Sequence, residues 1–390
     1  MRYNLLLCAL AAWAQGPVEF KPHVIEGKMP GGYAVLIADF NKDGKPDVIG
    51  MTSRITEIAW YENPGWQRHV MIENMTGLVN MAVQDLDGDG IPELAFENEF
   101  SMVAAKSKGL VWIAKHQGDP AKPWKATQVD ELSTSHHIAF ADVDGDGKKE
   151  LINAPLIGAK ALAPKYEDFV PLVFYQVPGN WQGWKRETID DKIYGVLHRV
   201  RVVKWDAGRR DQMLTASFSG ITLHKASGRG GSLKWENIRL SKGHEEEAPR
   251  AGTSDVAMGT IAKKRFLAAV EPWHGNEVVV YTGGGTKWDR RVIFSELTEG
   301  HEVCVGDFNK DGRDDIVAGD RARGKPGSAH VFYAQDDAGA KWLHQVVDLN
   351  DMSGSGCAVR DINGDGRVDF VMIGGATANL KWYENLGPGK

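Results

Sequence analysis

The chain has 390 residues, with 46 Lys plus Arg against 52 Asp plus Glu, and its formal charge of −6 argues against a nucleic-acid binder. With 25% charged and 42% hydrophobic residues it is an ordinary globular sequence, which excludes disorder. The length admits two or three domains or one large repeat domain, and 45 glycines with 13 tryptophans favour tight turns and β-structure.

At the start of the chain, Arg2 precedes the apolar run Leu5 to Trp13, which ends in Ala12-Trp13-Ala14. A short basic start, an apolar centre and an Ala-x-Ala site predict a signal peptide, residues 1–14, and an exported protein, periplasmic or extracellular. Cys8 sits too early, without small residues before it, for a lipoprotein anchor. No later stretch reaches the ~18 apolar residues of a membrane span. Cys304 and Cys357 remain and are expected as two buried thiols, although an oxidising compartment would also allow one bridge.

Residues 15–390 read as one domain of seven repeated units. An aromatic residue opens a short amphipathic strand at Phe20, Trp66, Trp124, Trp184, Trp235, Trp288 and Trp342, with gaps of 46, 58, 60, 51, 53 and 54. An acidic turn follows at Asp39, Asp85, Asp142, Asp307 and Asp361, offset by 19, 19, 18, 19 and 19. A third marker comes after each turn, as in Ala59-Trp60-Tyr61, Val331-Phe332-Tyr333 and Lys381-Trp382-Tyr383. Units four and five lack the acidic turn, having Val202 to Gly208 and Met258 to Ile261 in its place. Each unit holds four short strands, A to D, rich in β-branched and aromatic residues and bounded by Gly, Asn and Asp. Four strands at this period predict an all-β, seven-bladed β-propeller of four-stranded blades. The last unit ends after strand C, and an extra strand D, Phe20 to Glu26, precedes the first. The N-terminal strand is therefore predicted to close the last blade, which removes an exposed sheet edge.

The five turns carry Asp39, Asn41, Asp43 and Asp47; Asp85, Asp87, Asp89 and Glu93; Asp142, Asp144, Asp146 and Glu150; Asp307, Asn309, Asp311 and Asp315; and Asp361, Asn363, Asp365 and Asp369. Oxygen ligands at positions 1, 3, 5 and 9, a carbonyl at 7 and Gly at 6 suit a hard cation such as Ca²⁺. An EF-hand needs Glu at position 12, where these turns have Gly50, Phe96, Asn153, Ala318 and Met372, so a calcium-binding hairpin turn with a structural role is expected. The bland alternative is Asp used for local hydrogen bonds. The repeated Asp-Phe-Asn-Lys-Asp-Gly-Lys-Pro-Asp pattern resembles the FG-GAP or VCBS repeats over nearly the whole mature chain. That resemblance implies a calcium-bearing propeller and says little about activity.

The turns between A and B lie on one face of a propeller, and the starts of strands A and the B–C loops lie on the other. There the chain offers Tyr33, Asn80, His136, His137, His198, Arg199, Asp255, His301 and Glu302, with Arg54, Glu97, Glu99, Lys160, Lys165, Glu271, His274, Asp320 and Arg321 on the loops. Imidazoles and a carboxylate from several strands would hold Zn²⁺ or another divalent transition metal with an open position. The long loop of unit three, Asn153 to Val170, is a candidate lid.

The segment Glu271-Pro272-Trp273-His274-Gly275-Asn276 resembles a signature of the propeller domain of aldos-2-ulose dehydratase and its bacterial relatives. The resemblance implies metal-assisted dehydration of a keto-sugar, and onto this chain it carries Glu271 and His274. His137, His198 and His301 join them by position only. The reading taken is His137, His198 and Glu271 as metal ligands, His274 or His301 as base or ligand, and Tyr33 and Arg54 orienting substrate. No Walker loop, CxxC, G-x-S-x-G or H-E-x-x-H is present. Two functions follow: an exported metal-dependent lyase acting by β-elimination on a keto-sugar or oxidised saccharide, or a non-catalytic calcium-stabilised propeller binding a glycan or protein partner. A glycosidase using Glu97, Glu99 and Glu271 is the weaker third.

Overall fold

The computed structural model describes residues 16–228, 233–285, 287–322 and 326–389. The expected signal peptide and Cys8 lie outside the described residues.

Seven four-stranded antiparallel sheets form the blades of a propeller. Their A strands are Gly32–Ala38, Asn80–Gln84, Ser135–Ala141, Leu197–Val203, Asp255–Ile261, Gly300–Gly306 and Gly354–Arg360. Each A strand touches the A strands of both neighbouring blades, so the seven close a ring around a central channel. The N-terminal strand Val18–Glu26 pairs antiparallel with Leu380–Pro388 and supplies the fourth strand of blade 7. Closure by the N-terminal strand is thus as the repeat offset requires.

Burial follows from strand position. The B strands are covered on both faces, and Asp47–Thr52, Glu93–Asn98 and Glu150–Pro155 are buried at every residue. The outer strand Lys234–Ser241 has one buried residue, Leu240. Seven apolar clusters fill the seven interfaces between blades; Phe40, Trp60, Phe96 and Trp124 lie between blades 1 and 2, for example. The third repeat marker places fully buried Tyr61, Tyr175, Tyr281, Tyr333 and Tyr383 on strand C. A buried phenol needs a partner, and Tyr175, Tyr281, Tyr333 and Tyr383 donate to Asp130, Glu271, Gln345 and Asp348.

The acidic turns share one backbone. Gly44, Gly90, Gly147, Gly312 and Gly366, at position 6, have φ between 80° and 93°, where a side chain is disfavoured. Each donates its N–H to the first Asp of its turn. The two units without the motif turn differently. In blade 4, Gln212 Oε1 accepts from Trp205 and Asp206 N–H. Blade 5 makes a two-residue hairpin at Ala262 and Lys263, both with positive φ.

The expectation of two free thiols is corrected: Cys304 and Cys357 form a disulfide, with Cα atoms 6.2 Å apart. They sit on the A strands of the consecutive blades 6 and 7, which pack side by side around the channel although 53 residues separate the two cysteines. The candidate lid is packed down. Leu156, Ile157, Ala161 and Tyr166 are buried in an eighth apolar cluster on the top face, with Phe100, Phe218 and Trp273 against it.

Candidate metal centre

A repeated irregularity aims the top-face side chains. In five blades the A–B pairing slips at the top of strand A, leaving an extra residue: Tyr33, His136, His198, the pair His301-Glu302, and Ser355. A β-bulge of this kind re-aims a side chain. Here it places one residue per blade around the channel mouth.

His198, His274 and His301 converge, each offering a nitrogen within 4.8 Å of the others. His198 and His274 bring their Nε2 atoms to 3.1 Å. His198 Nδ1 donates to the Ser254 carbonyl at 2.7 Å and His301 Nδ1 to the Ser355 carbonyl at 2.5 Å. Each bond fixes a tautomer and leaves Nε2 with its lone pair toward the cluster. His301 Nε2 is buried and has no hydrogen-bond partner. Burial first, then nearby positive charge, keeps these rings neutral: His198 is pushed down to about 3 and His301 well below the ordinary histidine value. Neutral imidazoles with aligned lone pairs are the form that binds a divalent metal. The residues present therefore fit a three-imidazole site with an open position.

His274 reaches the cluster from the loop after strand B of blade 5, Lys264–Glu271. Its backbone is left-handed, φ 49°, a strained state for a non-glycine residue. Trp273, anchored against Tyr166 and Phe218, stacks on the His274 ring at 4.6 Å. Gly275 makes the return possible: a Cβ there would lie 2.3 Å from the Pro272 nitrogen. Glu271 does not face the imidazoles. Its Oε1 accepts from Thr253 and Tyr281, at 2.9 and 2.6 Å, and its Oε2 from Arg290 at 2.8 Å. It anchors the start of the loop instead.

His137 also stands apart from the trio. Adjacent strand residues point to opposite sides, and Arg199 Nη1 donates to its Nε2 at 2.6 Å. Arg199 belongs to a buried charge group lining the channel below the imidazoles. It pairs with Asp255 and Glu302, both at 2.9 Å, and Arg201 pairs with the same two carboxylates at 2.8 and 2.9 Å. Burial alone would raise Asp255, but Arg199 and Arg201 hold it below the ordinary carboxylate value.

His136 is the residue that the sequence reading passed over as a site. Its Nε2 is hydrogen-bonded to the Tyr33 hydroxyl at 2.7 Å, and its ring lies 5.2 Å from that of His198. The bulge at His136, invisible in composition, decides that it and not His137 faces the mouth. Tyr33 also carries Arg321 over its ring at 5.5 Å, and Arg321 Nη1 lies 3.5 Å from His274 Nε2. Beside Tyr33 a cavity of about 670 Å³ opens on the top face, lined in part by Arg54, Arg321, Ser53 and Ser355. Arg54 thus lines this cavity, together with Tyr33 and Arg321, and is not among the imidazoles. Glu97 is fully buried in strand B of blade 2 with both carboxylate oxygens lacking a partner, and Glu99 pairs with Lys108 at 2.6 Å. Neither makes a carboxylate pair with Glu271.

On the opposite face the ninth residue of each turn divides the five into two kinds. Asp47, Asp315 and Asp369 give both oxygens to backbone N–H groups, one within the turn and one at the end of strand C. Glu93 and Glu150, one methylene longer, give Oε2 to the N–H of Leu86 and Val143. Glu93 Oε1 is buried and makes no hydrogen bond, but Lys115 Nζ lies 3.5 Å from it and pairs with Asp87 and Asp89 of the same turn. Asp85, Asp87 and Glu93 converge within 4.8 Å, as do Asp142, Asp144 and Asp146.

Comparison with known proteins agrees with both resemblances. The family model of the aldos-2-ulose dehydratase β-propeller domain matches residues 109–284, which include the Glu271 to Asn276 segment. FG-GAP repeat models match residues 39–96 and 300–342. Aldos-2-ulose dehydratase of Phanerodontia chrysosporium is 21% identical across 93% of this chain, which spans 42% of that protein's length. The solved structure of BBS1N in complex with ARL6DN covers 97% of this chain and 99% of its own at a TM-score of 0.54 and 10% identity, a likeness of fold alone. No helix among the described residues is long and apolar enough to cross a membrane.

Proposed function

We propose that this chain is an exported, metal-dependent lyase that performs β-elimination on an oxidised saccharide, such as a keto-sugar. The observation that carries the reading is the trio His198, His274 and His301, whose nitrogens lie within 4.8 Å of one another with two tautomers fixed by backbone carbonyls. The name of the 21% identical relative supports a saccharide substrate, and the apolar start of the chain supports export.

The three imidazoles would hold a divalent ion, Zn²⁺ or another transition metal, which when bound polarises the substrate carbonyl and favours the enolate. Tyr33 and His136 handle the proton. Their hydroxyl–imidazole pair at 2.7 Å removes the hydrogen on the carbon next to the carbonyl; its electron pair becomes the new C=C bond. The C–O bond at the β-carbon breaks with its electrons on oxygen, and the same pair returns the proton to it, releasing water or an alcohol. Glu271 and Trp273 position the loop that presents His274. The turns with Glu93 and Glu150 would hold Ca²⁺ in a structural role, in blade 2 displacing the Lys115 ammonium that pairs with Asp87, Asp89 and Glu93.

The test is elemental analysis of protein purified without chelator. About one transition metal per chain, lost in His198→Ala and His301→Ala but kept in His137→Asn, is expected, together with an ultraviolet-absorbing enone from keto-sugars. Calcium alone, unchanged in all variants, would instead leave a calcium-stabilised propeller that binds a glycan or protein partner.

A further inference from the structure

The top-face cavity beside Tyr33 is polar and cationic. Arg54 and Arg321 reach it from the B–C loops of blades 1 and 6, and Ser53, Ser355, Asn350 and Thr377 add hydroxyl and amide groups. Its volume of about 670 Å³ lies within the range of small-molecule sites. Asp351 is the acidic residue among its described lining; Lys381 lies 2.5 Å from it and 2.9 Å from Asp348, so one ammonium serves two carboxylates and the two arginines outnumber the one negative charge left over.

Arg54 is placed and not merely exposed. Gly31, at φ 69°, lets the Arg54 stem lie against it, since a Cβ on Gly31 would come 2.8 Å from Arg54 Cγ. The turn is tied by Ser53 N–H to the Gly31 carbonyl at 2.9 Å and by Gly31 N–H to the Gly375 carbonyl at 3.2 Å. Among the described residues Arg54 makes no ion pair.

The charge balance points one way. The trio His198, His274 and His301 contains no carboxylate. Glu271 is taken by Thr253, Tyr281 and Arg290, and Asp255 and Glu302 are matched by Arg199 and Arg201. A dication on three neutral imidazoles therefore adds its charge to that of Arg54, which makes no ion pair among the described residues, with Arg321 at the same cavity. Converging positive groups in a cleft select an anion, and the planar guanidinium fork fits a carboxylate.

We propose that the substrate is a carboxylated keto-sugar, a sugar acid that carries its keto group apart from the carboxylate, and that Arg54 with Arg321 holds the carboxylate while the serine, threonine and asparagine side chains meet its hydroxyls. This inference rests on the lyase reading of the same site and narrows its oxidised saccharide to an acid.

The experiment is calorimetric titration of the metal-replete protein with D-glucuronate, D-galacturonate, the methyl ester of glucuronate and D-glucose. An acid is expected to bind about ten- to a hundredfold more tightly than the neutral ester, the range of a charged hydrogen bond. That preference is expected to vanish in Arg54→Gln, to survive in part in Arg54→Lys and to shrink in high salt. Equal binding of acid and ester, or a preference that Arg54→Gln leaves intact, overturns the proposal. Failure of the lyase reading looks different: no transition metal and no alkene product, with the acid preference retained.

Discussion

Removing Arg199 tests whether the channel charge group is a structural unit. Arg199 and Asp255 are 6% and 0% exposed, so Arg199→Met strips a partner from a carboxylate that water hardly reaches. The group falls from two positive and two negative charges to one positive and two negative. Leaving a buried charge uncompensated costs about 3–5 kcal/mol. Asp255 still keeps Arg201 at 2.8 Å and the N–H groups of Val256 and Val303 at 2.7 and 2.9 Å, which places the cost near the lower end, about 3 kcal/mol. A chain of 390 residues at about 2.1 cal/mol/K per residue has an unfolding entropy of about 0.8 kcal/mol/K, so Tm should fall by about 4 °C. Adding Glu302→Gln restores neutrality, and the double variant should lose at least about 1 kcal/mol less than the sum of the singles. Differential scanning calorimetry at pH 7 reads both values. An Arg199→Met variant within a degree of wild type, or strict additivity in the double variant, would refute the reasoning.

Four further outcomes are expected. Gly275→Ala should lower metal content, because its Cβ would press on Pro272, whereas Gly284→Ala, with open space around it, should leave metal content unchanged. Asp369→Asn should lower Tm with and without calcium, since a buried N–H loses its acceptor at about 1–3 kcal/mol, while Glu93→Gln should mainly reduce the Tm difference between calcium and EGTA. Deleting residues 16–26 should expose the edge of Leu380–Pro388 and give oligomers or aggregates by size-exclusion chromatography. Cys357→Ser opens a link across 53 residues, worth about 4 kcal/mol on a chain-entropy basis, which thermal unfolding measures as a drop of about 5 °C.

The repeat carries the fold in plain view. Aromatic openers, acidic turns and Tyr-bearing C strands recur at nearly constant offsets because every blade solves the same packing problem, so blade number, strand order and closure by Val18–Glu26 are all legible along the chain. Legible too is the gathering of histidines at the starts of strands A. Which of them meet is not. His136 and His137 are neighbours in sequence, and a one-residue slip in strand pairing sends one to the mouth and the other to Arg199. A bulge changes no composition and leaves no periodic mark. Glu271 sits three residues from His274, yet Thr253, Tyr281 and Arg290, all presented by the folded blade, turn it away. The disulfide likewise joins residues 53 apart on adjacent blades, and the cavity joins Arg54 of blade 1 to Arg321 of blade 6. The sequence by itself determined what repeats locally, turn chemistry and strand period; closure of the ring alone decided which far-separated side chains share a volume, because that depends on register and rotation that no single unit encodes.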